Sequence, residues 1–247
     1  MRPSILLNKH ILGTNPRSHS SSKKLMRPLA TMATTTTDRF TSALTVNNRE
    51  WARRTAKEQP NLFPTLANGQ HPEILWIGCS DSRCPETTLL GLEPGDVFVH
   101  RNIANVLHPA DISSAAVIEY AVAHLHVKHV VICGHSSCGG VAGALANKPL
   151  GILDPWLVPL RQIRQQNLAW LESLSPANKA QRLSELNVLA GVKTLKEKGV
   201  VIDAIQRRGL QVHGLMYDVA SGVLRELDTG ESEDIVKARL VSFSTEA

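Results

Sequence analysis

Two short fragments carry the residues that are best suited to chemistry: Cys79-Ser-Asp-Ser-Arg83 and His135-Ser-Ser-Cys138. Each follows an apolar run typical of a buried strand, residues 74–78 before the first and 130–134 before the second. Two thiolates and one imidazole make a three-ligand zinc set, and a catalytic zinc keeps its fourth position free. The fragments therefore predict a catalytic zinc site. Its ligands would be Cys79, His135 and Cys138.

The first fragment also places an acid and a permanent cation beside the predicted metal. Asp81 and Arg83 follow Cys79 by two and four residues, so an extended segment projects all three side chains to one side. Arg83 could hold Asp81 by a charge-assisted hydrogen bond, and Asp81 could then orient a zinc-bound hydroxide. Alternatively, Asp81 could occupy the fourth zinc position and switch the enzyme off. A structural zinc with Cys84 or Cys133 as fourth ligand is the competing interpretation, but it gives Asp81 and Arg83 no task.

The elements that must position these fragments are strands that alternate with helices. Strands are predicted at 74–79, 97–101 and 129–134, and this alternation favours a parallel sheet with both faces covered. Chemistry in such sheets gathers at the carboxyl ends of the strands. Three predicted strand ends carry Cys79, Arg101 and His135.

The rest of the chain completes an α/β fold. Residues 152–170 and 176–207 are predicted to be mainly helical, and a last strand at 210–218 is predicted to pair with 223–227. We therefore predict a central, mainly parallel four-stranded sheet with an added C-terminal strand and helices on both faces. One domain is expected to span residues 38–247.

Residues 1–37 differ from the rest in composition. They contain six basic residues, no acidic residue and many Ser and Thr, which is typical of a mitochondrial import sequence. We predict a targeting leader and a location in the mitochondrial matrix. A disordered basic tail and a cytosolic protein that starts at Met26 or Met32 are the alternatives.

The charge and the hydropathy also exclude classes of partner. Without the six charges of the leader, the formal charge of +5 becomes about −1, which argues against nucleic-acid binding. No apolar stretch approaches the ~20 residues that cross a bilayer, so no membrane span is expected. The four cysteines are expected to be reduced thiols, because a chain of this size lacks a secretory signal.

The two fragments together resemble the signatures of the β-class carbonic anhydrases, Cys-x-Asp-x-Arg and His-x-x-Cys, in their plant-like and fungal branch. The similarity runs from about Gly69 to Tyr217. It includes Arg101-Asn-Ile-Ala-Asn105, Ile118-Glu-Tyr-Ala-Val122 and Gly214-Leu-Met-Tyr-Asp218.

This resemblance implies reversible hydration of carbon dioxide to bicarbonate and a proton, through attack of a zinc-bound hydroxide on the carbon. It implies one zinc ion per subunit, held by the two cysteines and the histidine, with Asp81 and Arg83 positioning the fourth ligand. The family pattern also marks substrate-pocket positions and a proton-transfer position, although an ordinary surface role would explain His124 equally well. These positions are Gln70, Phe98, Tyr120 and Gly139 for the substrate, and His124 for the proton.

The resemblance implies an assembly as well. The family unit is an intertwined homodimer, sometimes a dimer of dimers, whose active sites take residues from both subunits, and the early helix at 38–58 would embrace the partner. Hydrolysis of carbon disulfide or carbonyl sulfide at the same site is an alternative activity. A catalytically silent zinc scaffold is the alternative that is not an enzyme.

Overall fold

Strands form one five-stranded sheet in this computed structural model, which describes residues 38–109, 111–146 and 148–243. The strands are β1 (Ile74–Cys79), β2 (Val97–Asn102), β3 (His129–His135), β4 (Gln211–Asp218) and β5 (Val223–Glu226). Their order is β2-β1-β3-β4-β5; the first four are mutually parallel and β5 is antiparallel to β4. The predicted sheet is confirmed, and no predicted strand end is displaced by more than one residue.

Helices connect the strands, and none among the described residues is both long and apolar enough to cross a membrane. Residues predicted as one helical region at 176–207 are divided between two helices, because Lys198 has extended backbone angles (φ −83°, ψ 130°). The helices are α1 (Arg39–Ser42), α2 (Asn48–Glu58), α3 (Leu62–Ala67), α4 (Glu86–Leu90), α5 (Ile112–Glu119), α6 (Gly139–Leu145), α7 (Leu153–Trp156), α8 (Val158–Gln166), α9 (Leu168–Glu172), α10 (Pro176–Lys196), α11 (Gly199–Arg208) and α12 (Glu233–Phe243).

The chain divides into a unit that ends at Lys57 and a compact unit that begins at Glu58. In the first unit, Asp38 caps α1 by accepting hydrogen bonds from the backbone N–H groups of Phe40 and Thr41 at 2.8 and 3.0 Å. The predicted early helix is therefore present. The predicted leader, residues 1–37, lies outside the described residues, and the domain boundary at residue 38 stays a prediction.

Both faces of the sheet are covered, as the continuous apolar strands require. Leu75 and Ile77 of β1 and Val130 and Ile132 of β3 are fully buried against α5, α10 and α11. Burial of each such side chain contributes roughly 1.5–3 kcal/mol, so the central strands are firmly fixed. Their carboxyl ends are therefore a rigid platform. The opposite face buries Trp76, Val131, Cys133 and Tyr217.

Candidate metal centre

Parallel pairing brings the three predicted ligands to one edge of the sheet. Cys79 ends β1, His135 ends β3, and Cys138 immediately precedes α6. Their candidate ligand atoms lie within 4.8 Å of one another, and all three residues are buried. In the part of the chain that the structure describes, no other group of three such side chains converges in this way.

The ring of His135 is oriented to present Nε2 as a ligand. Its Nδ1 donates a hydrogen bond to the carbonyl oxygen of Ser136 at 2.9 Å. Its buried Nε2 has no hydrogen-bond partner among the described residues, which would cost about 1–3 kcal/mol if nothing bound it. A zinc ion would satisfy this nitrogen, and two sulfurs with one imidazole suit zinc. The residues therefore fit the metal that the sequence predicts.

The two ligand thiols are electrostatically coupled. A hydrogen bond from the Cys138 thiol lowers the pKa of Cys79, and the same contact raises the pKa of Cys138. Burial acts to lower the pKa of His135, but Cys79, the carbonyl oxygen of Ser136 and the Asp81 carboxylate together outweigh it and the pKa is raised. Zinc binding would displace the proton that Cys138 retains, because the thiolate is the ligand.

The other two cysteines lie outside this group. Burial raises the pKa of Cys84 to about 11 and also raises the pKa of Cys133, so both are neutral thiols near pH 7. All four cysteines are free. The interpretation as a structural zinc with a fourth cysteine therefore has no support from the geometry.

Asp81 and Arg83 form the predicted pair beside the ligands. Asp81 Oδ1 accepts from Arg83 Nε at 2.9 Å and Oδ2 accepts from Nη2 at 2.7 Å, a bidentate fork. Arg83 thereby holds the pKa of the Asp81 carboxyl far below its usual range. Asp81 Oδ2 lies 3.9 Å from His135 Nε2. Arg83 Nη2 also donates to the carbonyl oxygen of Ser137 at 3.1 Å, which connects the two fragments.

Arg101, at the end of β2, fixes the backbone of the first fragment. Its Nε donates to the carbonyl oxygen of Cys79 at 2.9 Å, and its Nη2 donates to that of Asp81 at 2.5 Å. The sequence predicts Arg101 at a strand end but indicates no role for it. The strand-end position was the available signal, and the contacts themselves follow only from the pairing of β1 with β2.

A cavity of about 320 Å³ opens beside Cys79 and Asp81. Gly140, in α6, is part of the cavity wall. It permits α6 to pack closely against Ala104, because a Cβ at Gly140 would lie 2.8 Å from Ala104 Cβ. Most of the wall is apolar, and Gly139 is the one predicted substrate-binding residue that lines it. The lining residues are Cys79, Ser80, Asp81, Ile103, Gly139, Gly140, Gly143, Leu150, Leu153 and Leu157.

The other predicted pocket residues do not line this cavity. Phe98, Tyr120 and His124 instead form an aromatic row, with ring centroids 5.7 Å apart for the first pair and 5.5 Å apart for the second. Tyr120 is 47% exposed, and Gln70 is also exposed. Within one chain, the aromatic row and the metal centre are therefore separate regions.

Comparison with known proteins gives concordant matches. The family model described as carbonic anhydrase matches residues 74–224. A carbonic anhydrase of Emericella nidulans is 44% identical over 184 residues, covering 74% of this chain and 81% of the relative. A crystal structure of a β-carbonic anhydrase of Aspergillus fumigatus is 68% identical with a TM-score of 0.83, covering 85% of this chain and all of the other. A tetrameric β-carbonic anhydrase of Sordaria macrospora is 53% identical with a TM-score of 0.76, covering 78% of this chain and 98% of the other.

Proposed function

The chain belongs to the β-class carbonic anhydrases, and from that premise we propose that it catalyses the reversible hydration of carbon dioxide to bicarbonate and a proton. The observation that carries the proposal is the convergence of three candidate ligand atoms with the Asp81–Arg83 fork beside them, Asp81 Oδ2 lying 3.9 Å from His135 Nε2. A purely structural zinc site would not require a bidentate ion pair at its edge.

Cys79, His135 and Cys138 would hold the zinc ion. Zinc, when bound, supplies a Lewis acid that brings the pKa of a water molecule toward ~7. Three protein ligands leave a position open for that water, which is the arrangement of catalytic sites.

Asp81 would orient the attacking water. Its carboxylate is anionic across the physiological range, because Arg83 engages both oxygens. An ionised carboxylate can only accept hydrogen bonds, so the water must donate to it and direct a lone pair elsewhere. Apolar side chains, Ile103 and Leu157 among them, line the same cavity as Asp81 and would hold a nonpolar gas beside this water. Asp81 would therefore contribute by positioning, with Arg83 fixing its rotamer.

We also propose that a second copy of the chain completes the pocket. The aromatic row is partly exposed in the single chain, and the Sordaria macrospora relative is described as tetrameric. A homodimer, or a dimer of dimers, would place Gln70, Phe98 and Tyr120 of one subunit at the cavity of another.

A mitochondrial location is proposed from the composition of residues 1–37 alone. Fluorescent fusions of the full chain and of a chain beginning at Met32 test it. Mitochondrial fluorescence of the first and cytosolic fluorescence of the second are expected, whereas cytosolic fluorescence of both would contradict the proposal.

Stopped-flow hydration of carbon dioxide tests the activity, with the zinc content measured on the same sample. We expect about one zinc per subunit and rapid proton release at pH 8.5. Full zinc content without hydration would contradict the proposal. Parallel assays with carbonyl sulfide and carbon disulfide would identify a hydrolase built on the same centre.

A further inference from the structure

Ser136 follows the ligand His135 directly and determines how that ring is presented. Its carbonyl oxygen accepts the hydrogen bond from His135 Nδ1 at 2.9 Å. A carbonyl oxygen cannot donate, so Nδ1 carries the hydrogen, and in the neutral ring that binds a metal Nε2 carries the lone pair. The place of this one carbonyl group therefore sets both the tautomer and the tilt of the ring.

Ser136 is in turn fastened to the end of β4 by hydrogen bonds from its backbone and its side chain. Its backbone N–H donates to the carbonyl oxygen of Tyr217 at 2.9 Å, which continues the β3–β4 pairing by one residue. Its Oγ donates to Asp218 Oδ1 at 2.9 Å and accepts from the backbone N–H of Val219, also at 2.9 Å. Hydrogen bonds of both the backbone N–H and the side chain therefore hold Ser136 against the end of β4.

Asp218 is itself held in place by the turn that leads to β5. Its Oδ1 accepts from the backbone N–H of Ala220 at 3.2 Å, and its Oδ2 accepts from Ser221 Oγ at 2.6 Å. The Asp218 carboxylate does not line the cavity beside Cys79 and Asp81. Its hydrogen bond to Ser136 Oγ is the contact that connects the Asp218 side chain to the residue beside His135.

We propose that Asp218 is a positioning residue for the metal centre: it fixes Ser136, and Ser136 fixes the ring of His135 as a zinc ligand. This proposal rests on the proposed function, because it assumes that His135 binds zinc. Partners beyond the ligands of a metal typically change its affinity about 10–100-fold when they are removed. Asp218 is one hydrogen bond further away, so we expect an effect at the lower end of that range.

The test measures the rate at which a chelator removes zinc from the full-length protein in the absence of substrate. We expect Asp218→Ala and Ser136→Ala each to release zinc about tenfold faster than the unmodified protein. Asp218→Asn should release it at an intermediate rate, since the amide oxygen still accepts from Ser136. The matched control is Asp228→Ala: Asp228 accepts from the backbone N–H of Gly230 at 2.9 Å in another exposed turn and has no hydrogen bond to Ser136. Its rate should be unchanged.

A double variant separates positioning from general loosening of the turn. If Asp218 acts through Ser136, the rate of Ser136→Ala combined with Asp218→Ala equals that of Ser136→Ala alone, because coupled residues are not additive. Histidine ring ¹⁵N shifts of the zinc-loaded protein give a second readout, and the Nδ1–H signal of His135 should broaden or shift in Asp218→Ala. Should Asp218→Ala fail to fold, Asp218→Asn and Ser136→Ala carry the test.

Equal release rates for Asp218→Ala and Asp228→Ala, or additive effects in the double variant, would overturn the positioning role. Neither result bears on hydration activity, because no substrate is present. Conversely, a protein that holds zinc and shows the expected release rates but hydrates no carbon dioxide would overturn the proposed function and leave the positioning role intact.

Discussion

The metal centre and the aromatic row lie in the same chain, but the chain completes them to different degrees. The candidate ligands Cys79, His135 and Cys138 are 7%, 1% and 5% exposed. Hydrogen bonds hold the carbonyl oxygen of Cys79 to Arg101 of β2, and the backbone N–H of Ser136, next to His135, to Tyr217 of β4. Tyr120, in the middle of the aromatic row, is 47% exposed and contacts its neighbours by ring packing. One region is assembled by the fold of a single chain, whereas the other presents apolar surface outward.

The difference follows from the kind of interaction that each region uses. Charged and polar groups at the metal centre need exact partners when buried, and the sheet supplies them at its carboxyl edge. Aromatic rings are stabilised when their apolar surface is buried, and a second copy of the chain can bury the rings of the aromatic row. One subunit would then supply all the groups that carry out the reaction, whereas two subunits together would form the substrate pocket.

Replacement of a ligand should have the largest effect. In Cys138→Ser, the weakly coordinating hydroxyl replaces a thiolate, so we expect loss of zinc and a fall in kcat/KM of at least about 1,000-fold, since the metal supplies the activated water. Metal analysis and stopped-flow hydration measure both. The control is Cys84→Ala, which removes a buried thiol that stays protonated near pH 7, and which should retain zinc. Zinc retained in Cys138→Ser would remove this residue from the ligand set.

The pair beside the metal should give the next largest effect. Asp81→Asn keeps the shape but supplies an N–H donor at one atom and loses the charge that Arg83 engages through both oxygens. We expect full zinc content and a loss of about 100-fold in kcat, within the range for positioned acid–base groups. Arg83→Lys should lower kcat less, because a lysine keeps the charge but cannot form the bidentate fork. Unchanged hydration by Asp81→Asn would exclude the carboxylate from the reaction.

The sequence predicted the metal centre more completely than its surroundings, for a physical reason. Ligand types and strand ends are local features, so Cys79, His135 and Cys138 could be named from spacing alone. The contacts of Arg101 and Asp218 join residues that are 22 and 82 positions apart from their partners, and they depend on strand order and register. The apolar wall at Leu150, Leu153 and Leu157 could not be told from an ordinary helix core.

The aromatic row should give a smaller effect that crosses between subunits. We expect Tyr120→Ala to keep its zinc and to lower kcat/KM about tenfold, the size of one lost apolar pocket contact. A matched control is Trp170→Ala, which removes an aromatic ring with 46% exposure on α9 and should leave kcat/KM unchanged.

Mixed dimers of Cys138→Ser and Tyr120→Ala would test directly whether the aromatic row serves the metal centre of the same chain or that of its partner. A dimer of one Cys138→Ser subunit and one Tyr120→Ala subunit contains one intact site only if Tyr120 serves its partner. The isolated mixed dimer should then retain about half of the unmodified activity, against about one-twentieth if each site uses its own Tyr120. Co-expression with two affinity tags isolates the mixed species, and the lower value would place the whole site within one chain.

His124 should give the smallest effect, and one that depends on buffer. It is exposed in the single chain and follows Tyr120 in the aromatic row, at the position that the family resemblance marks for proton transfer. We expect His124→Ala to lower kcat about threefold in dilute buffer and not at all in concentrated buffer, where small molecules carry the proton instead. The control is His126→Asn, which removes a nearby imidazole at a position with φ of 55° that asparagine tolerates. Added imidazole should restore the kcat of His124→Ala, since it replaces the missing base without repairing any packing. A loss of kcat that persists at every buffer concentration would mean that His124 supports the shape of the aromatic row and does not carry protons.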